Sequence, residues 1–296
     1  MTRTCRNVPA VSRYAVMWSG GKDSALALRR AIADGLEIGA LVNVVDPATR
    51  RVRFHATRAE LVAAQAAALG LRLRQLPIAW DSFDERLRAA LAELAADGFA
   101  GVVFGDIHLV DVRAWYEERV RGAGLEHVEP LWGERPADLV REFVDGGGRA
   151  VITCVELARL EAAWLGRVID PAFPAAIAAV DVDPAGENGE YHSFAFEGPP
   201  FRRPVECFAG ATHAEAGFLQ LDLIGSDAIA TAAEEAIRGD RELFAAAVAG
   251  RPKAWGALAA SGITAYRTRA GRALADAERR AVWAALWRRI EEMRAS

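Results

Sequence analysis

Lysine is nearly absent from this chain. Of its 36 basic side chains only Lys22 and Lys253 are lysine. With the heavy use of arginine and alanine, this bias fits a GC-rich bacterial genome, and it makes a lysine inside a motif a hint of a chosen point charge. Cysteine is also scarce. Cys5, Cys154 and Cys207 stand far apart and form no Cys-x-x-Cys, which argues against a structural zinc or a thioredoxin-like site and for a reducing, cytoplasmic setting. No uninterrupted apolar run approaches the ~20 residues that span a bilayer, so no membrane partner is expected. Residues 1–13 are polar and basic without an apolar centre, so no secretory signal is expected either. A formal charge of −4 makes no global case for nucleic-acid binding. Internal repeats and low-complexity tracts are lacking apart from the alanine bias. What remains, 52% hydrophobic and 26% charged over 296 residues, is ordinary for a globular enzyme long enough for about two domains.

The most informative stretch is Ser19-Gly20-Gly21-Lys22-Asp23-Ser24. It follows the apolar run 14–18 and opens a helix-like segment, 25–30. A buried strand, two glycines and a helix start are what a phosphate cradle needs. Glycine lets the backbone approach the anion, free N–H groups point at it, and the helix dipole favours its charge. Ser19 and Ser24 add hydroxyl donors and Lys22 a cation. The spacing is not that of a Walker A loop.

The first half of the chain alternates. Apolar runs at 15–18, 38–45, 71–78, 100–104, 127–131 and 150–155 read as strands. Helical patterns fall at 23–33, 57–69, 83–96, 111–122 and 136–144. This alternation predicts an α/β fold built on a parallel, doubly wound sheet with helices on both faces, and such sheets bind ligands beyond the carboxyl ends of their strands. After residue 167 the pattern shifts to turn formers and short strands at 191–196, 205–208 and 217–224, then from Ser226 to Ala-rich helix. The expected organisation is a nucleotide-binding domain over 1–133, a smaller mixed α/β substrate domain over 134–225, and a helical C-terminal extension over 226–296.

Other stretches carry chemistry. Gly105-Asp106-Ile107 closes the 100–104 run and is followed by Asp111, Arg113, Trp115 and Glu117. Pro130-Leu131-Trp132 comes next. Then come Gly186-Glu187-Asn188-Gly189-Glu190-Tyr191-His192-Ser193 and Gly198-Pro199-Pro200-Phe201. The Ser-Gly-Gly-x-Asp-Ser turn resembles the pyrophosphate loop of the PP-loop ATP pyrophosphatases, and the set in this order resembles the diphthine–ammonia ligase family and its bacterial relatives of unassigned substrate. The likeness runs from about residue 15 to 224.

This resemblance implies a PP-loop (HUP-type) fold and an ATP-dependent amidation. A carboxylate on a small molecule or modified residue attacks ATP, releasing pyrophosphate, and ammonia displaces AMP. Ser19, Gly20, Gly21, Lys22, Ser24 and Gly105 would line the nucleotide phosphates, while Asp23 and Asp106 would hold Mg²⁺. Asp106 also reads as a plain helix cap. Arg113 would clamp a phosphate or carboxylate, or else pair with Glu117 four residues on. Glu187, Glu190 and His192 would serve the acceptor half of the reaction, with Glu190 and His192 on one face of a strand. His55 matches a family position and also reads as a helix-entry residue. A metal set of Glu190, His192 and His55 is a further reading. Where the familiar ligases carry Glu-Phe-Glu-Thr this chain has Glu190-Tyr191-His192-Ser193. Diphthine belongs to archaea and eukaryotes, so the acceptor stays open.

The extension carries twelve basic and nine acidic residues, a local +3. Trp283, Leu286, Trp287, Ile290 and Met293 form a stripe at helical spacing with Arg279, Arg280, Arg288 and Arg289 off it. The expectation is a helical appendage docked on the main body or at a homodimer interface, ahead of an RNA-binding module. Two other functions share the fold: a tRNA-thiolating enzyme, which wants reactive cysteines, and a non-catalytic adenine-nucleotide sensor.

Overall fold

The computed structural model describes residues 12–53, 55–270 and 273–295. Cys5 and the N-terminal stretch 1–11 lie outside them. The first sheet is parallel throughout, in the order β3 (Arg72–Pro77), β2 (Glu37–Val45), β1 (Arg13–Met17), β4 (Phe99–Val103), β5 (Glu126–Val128). Alternation along each strand winds it doubly. Val16, Leu41 and Val103 pack with α1 (Lys22–Ala33) and α2 (Ala59–Leu69), whereas Ala15, Ala40, Val42 and Val102 face α3 (Phe83–Ala96) and α4 (Val110–Gly122). The strand order reverses between β1 and β4. That is the crevice where such sheets hold ligands, and the Ser19–Ser24 turn sits at its lip.

The alternation rule carries residues 150–155 into this parallel sheet, and the structure does not. After α5 (Pro136–Asp145), strand β6 (Arg149–Glu156) starts a second sheet, antiparallel throughout. It pairs with β7 (Val168–Ile169), which the short α6 (Phe173–Ile177) follows, and with β8 (Tyr191–Glu197) and β10 (Phe218–Gly225), and β10 pairs with β9 (Cys207–Glu215). Six consecutive buried residues in β6 explain the misreading, since a strand covered on both faces reads the same in either kind of sheet.

Helix α2 lies between the two sheets. Val62, Ala66 and Leu69 join the first core, and Leu61 and Ala68 pack with Val151, Phe194, Leu221 and Leu223 of the second. An alanine-rich helix buried on two sides needs no polar face, which lets its axis approach both sheets closely. A charged tie reinforces the junction. Asp222 on β10, fully buried, takes a bidentate fork from Arg58 (2.8 and 2.7 Å) and a second guanidinium from Arg51 (2.8 Å).

Beyond Gly225, α7 (Ser226–Gly239), α8 (Arg241–Val248), α9 (Ala254–Ala270) and α10 (Asp276–Ala295) share a separate apolar cluster. The expected stripe on α10 is split. Val282, Leu286 and Ile290 are buried, while Trp283, Trp287 and Met293 are exposed. The buried positions 278, 281, 282, 286 and 290 centre the inward face on the side of Leu286 opposite 283 and 287, which turns those two outward. Arg289 pairs with Glu234 on α7 and with Glu292. No described helix is long and apolar enough to cross a membrane.

Burial alone would raise the Asp222 pKa, but the Arg58 fork with Arg51 outweighs it and holds the carboxyl down at about 2. A depressed carboxyl contributes stability that is present above its unfolded pKa of about 3.9 and is lost as pH falls toward 2. Asp222→Asn leaves two guanidiniums facing a neutral group, so unfolding free energy in urea at pH 7 should fall by about 3 kcal/mol. The deficit should shrink when the same titrations are run near pH 3.

Candidate functional site

The turn between β1 and α1 is shaped by Gly20, whose φ of +86° suits glycine. A Cβ there would also stand 2.7 Å from Gln65 Oε1. Gly21 N donates to Ser19 Oγ at 3.3 Å, Ser24 Oγ donates to the Gly21 carbonyl at 3.0 Å, and Ser19 Oγ lies 3.4 Å from Ser24 Oγ. Gly105, at the end of β4, touches the first turn of α1. An added Cβ would lie 3.0 Å from the Asp23 carbonyl carbon.

The turn does not stand alone. The Gly20 carbonyl accepts Ala195 N of β8 at 2.8 Å and Gln65 Nε2 of α2 at 2.9 Å. Gln65 is fully buried, donates to the Ala195 carbonyl at 2.7 Å and accepts Trp18 Nε1 at 2.9 Å. Asn43 Nδ2 donates to the Trp18 carbonyl at 2.8 Å. At the N-cap position Gly21 has no side chain, and Ser193 Oγ of β8 accepts Lys22 N instead, at 3.2 Å. A residue from the second sheet thus caps α1.

Lys22 is no free cation facing a ligand. Only 3% exposed, its ammonium donates to Asp23 Oδ2 at 2.8 Å and to the Ala185 carbonyl, 5.0 Å above the Tyr191 ring. Burial works against its charge, but Asp23 overrides this and raises its pKa. The carboxylates around it are crowded. Burial, then Asp23's charge, push Asp106 up to about 6. Burial and Asp23 also push Glu187 up to about 7, against the Ile107 N–H that Glu187 accepts at 2.8 Å. The structure thus brings Lys22, Asp23, Asp106 and Glu187 together.

It does not bring Glu190 and His192 together. Strand β8 begins at Tyr191, so the alternation expected from Glu190 onward is broken at its first residue. Buried Glu190 meets Arg159, Asp183 N and Asn188 Nδ2 at 3.2–3.3 Å. His192 instead stacks on His55, ring centroids 4.5 Å apart. Burial keeps both imidazoles neutral, with His55 lowered to about 4. Among the described residues no group of three His, Cys, Asp or Glu could hold a metal, so the Glu190, His192 and His55 set is not assembled. Arg113 pairs not with Glu117, which meets Arg121 at 2.5 Å, but with buried Glu129 at 2.9 Å, and it stacks 4.3 Å over Trp132.

Sequence reasoning missed Gln65, Glu129 and the His108–Asp183 pair (2.6 Å). A glutamine among the alanines of α2, at a position the helical period buries, was the one available signal. Beside the turn a cavity of about 740 Å³ opens past the ends of β1 and β2. Its lining includes Trp18, Ser19, Asn43, His55, Trp80 and Trp115.

A doubly wound parallel sheet whose first strand runs into a Ser-Gly-Gly-x-Asp-Ser turn at the switch point defines a PP-loop protein. The diphthamide synthase N-terminal domain matches residues 12–127 and the diphthamide synthase C-terminal domain residues 135–223. The chain belongs to the diphthamide synthase family. It is similar to the diphthine–ammonia ligase of Homo sapiens, 26% identical over 223 residues, covering 65% of this chain and 82% of the human protein. The Bos taurus diphthine–ammonia ligase is 25% identical over the same shares. A solved structure from Methanocaldococcus jannaschii, titled as a predicted subunit of tRNA methyltransferase, aligns at TM-score 0.36 and 15% identity over 64% of this chain and 99% of its own. At that score nothing about this chain follows from it. The extension α7–α10 lies outside both matched domains.

The crowded acids generate a prediction. A carboxyl whose pKa is raised on folding contributes stability that is full below its unfolded value, about 4.3 for glutamate, and is lost as pH rises through the folded value, about 7 for Glu187. Without ligand, thermal stability should therefore decline between pH 4.5 and 7.5. Glu187→Gln should melt progressively higher than the parent across that range, as read by circular dichroism.

Proposed function

We propose that this chain is a cytoplasmic ATP-dependent ligase that adenylates a carboxylate and passes the acyl group to ammonia. The observation that carries the reading is the join between the Ser19–Ser24 turn and the aromatic cavity beside it. A nucleotide whose base enters the cavity brings its phosphates to the α1 N-terminus, where the helix dipole favours anions. In this reading the acceptor carboxylate attacks the α-phosphorus, the bond to the β-phosphate oxygen breaks, and pyrophosphate leaves into the turn formed by Ser19, Gly20, Gly21 and Ser24. Ammonia then attacks the acyl carbon and AMP departs with the bonding pair.

Asp106 has no cation paired with it among the described residues, and its repulsion with Asp23 is what a divalent ion would relieve. Two carboxylates plus substrate phosphates suit Mg²⁺, which keeps several of its waters. Bound there, the ion would neutralise charge on the phosphates. Glu187, poised near neutrality, suits proton transfer from the attacking nitrogen. Arg113, oriented by Glu129 and Trp132, presents a guanidinium to an acceptor anion. Glu190 and His192 complete the acceptor half from separate surroundings, Glu190 in the loop that carries Glu187 and His192 beside His55. Among the described residues nothing favours the thiolating alternative, since burial pushes Cys154 and Cys207 up to about 11, away from reactive thiolates.

Chromatography of ATP turnover should give AMP and pyrophosphate. ADP and phosphate as the main products would remove the chain from this class. Gly21→Val places a side chain where a Cβ already sits 3.2 Å from the Ser193 carbonyl oxygen and 3.5 Å from Ser19 Oγ. Calorimetry on the folded variant should find no ATP binding, and wild-type affinity would refute the cradle.

A further inference from the structure

Three hydroxyls surround the turn, from Ser19, Ser24 and Ser193. The Ser24 proton goes to the Gly21 carbonyl and the Ser19 proton to Ser24 Oγ. Ser193 differs. Its Oγ accepts from Lys22 N at 3.2 Å, and among the described residues nothing accepts its own proton. At 3% exposure it lies as deep as Ser24, at 4%. A hydroxyl carries one donor besides its acceptor lone pairs, and a buried donor with no acceptor is costly. Here it stands at the N-terminus of a 12-residue helix, where an anion is favoured.

We infer that Ser193, a residue of the second sheet, is a ligand of the phosphate group held by the turn. Its lone pair keeps Lys22 N–H in place while its proton goes to a phosphate oxygen. The inference rests on the nucleotide reading above. It gives β8 two tasks, because the strand that carries His192 also completes the phosphate site. Bound triphosphate or pyrophosphate would then be held jointly by Ser193 on β8 and by the first turn of α1 that Ser193 already caps. Loss of pyrophosphate would leave the Ser193 proton without that acceptor while the Lys22 N–H bond stays in place.

The probes are ATP, inorganic pyrophosphate and adenosine, titrated calorimetrically with Mg²⁺ into the full chain and into Ser193→Ala and Ser193→Thr, each confirmed as folded by its circular dichroism spectrum. Losing one hydrogen bond to a charged group should weaken ATP and pyrophosphate about tenfold in Ser193→Ala. Adenosine, which lacks phosphate, should bind as before, and Ser193→Thr, which keeps the hydroxyl, should retain wild-type affinities. Wild-type ATP affinity in Ser193→Ala would overturn the inference, as would an equal loss for adenosine, which marks a packing role. A parent protein that binds no ATP would instead overturn the nucleotide reading itself, and this inference with it.

Discussion

The Gly20 carbonyl is the point on which the two halves of this molecule meet. It accepts one hydrogen bond from the backbone of β8 and one from the buried Gln65 side chain, and both donors are out of water. A backbone in the left-handed region, held by two buried donors, has no alternative arrangement of similar energy. The turn is therefore fixed by residues some 45 and 175 positions away in sequence. In the proposed nucleotide reading a phosphate cradle would gain from this, because donors that are already aimed need no reorganisation when an anion arrives.

The same junction sets the electrostatics. Asp106 and Glu187 crowd the Lys22–Asp23 pair from the side of Asp23, and Lys22 is turned toward the second sheet. Burial raises the carboxyls and their mutual repulsion adds to it, so the site is short of positive charge. The Asp222 triad shows the opposite balance, two guanidiniums for one carboxylate. The first arrangement leaves charge for a ligand to compensate. The second is complete, and it locks α2 to β10 so that Gln65 is delivered to the turn.

Much of the first sheet was legible because its strands are apolar runs separated by helices at helical spacing, and because the turn has a local signature of six residues. The helical character of the extension was legible too, but the face of α10 that it buries was not. Leu286 and Trp287 are equally apolar, and which of them faces inward depends on where α7 and α9 lie. Strand β6 was assigned to the wrong sheet for a related reason. A strand buried on both faces carries no mark of its neighbours' direction.

The sequence by itself determined the strand–helix alternation of the first sheet and the Ser19–Ser24 turn, since each is written in residues close along the chain. Only the tertiary structure decided how the site residues are shared out. It turned Lys22 inward and parted Glu190 from His192. It gave Arg113 to Glu129 rather than Glu117, and it recruited Gln65 and Ser193 to the turn. Those outcomes turn on which buried polar group finds which partner, and that depends on how two sheets and one helix pack, which no local spacing encodes.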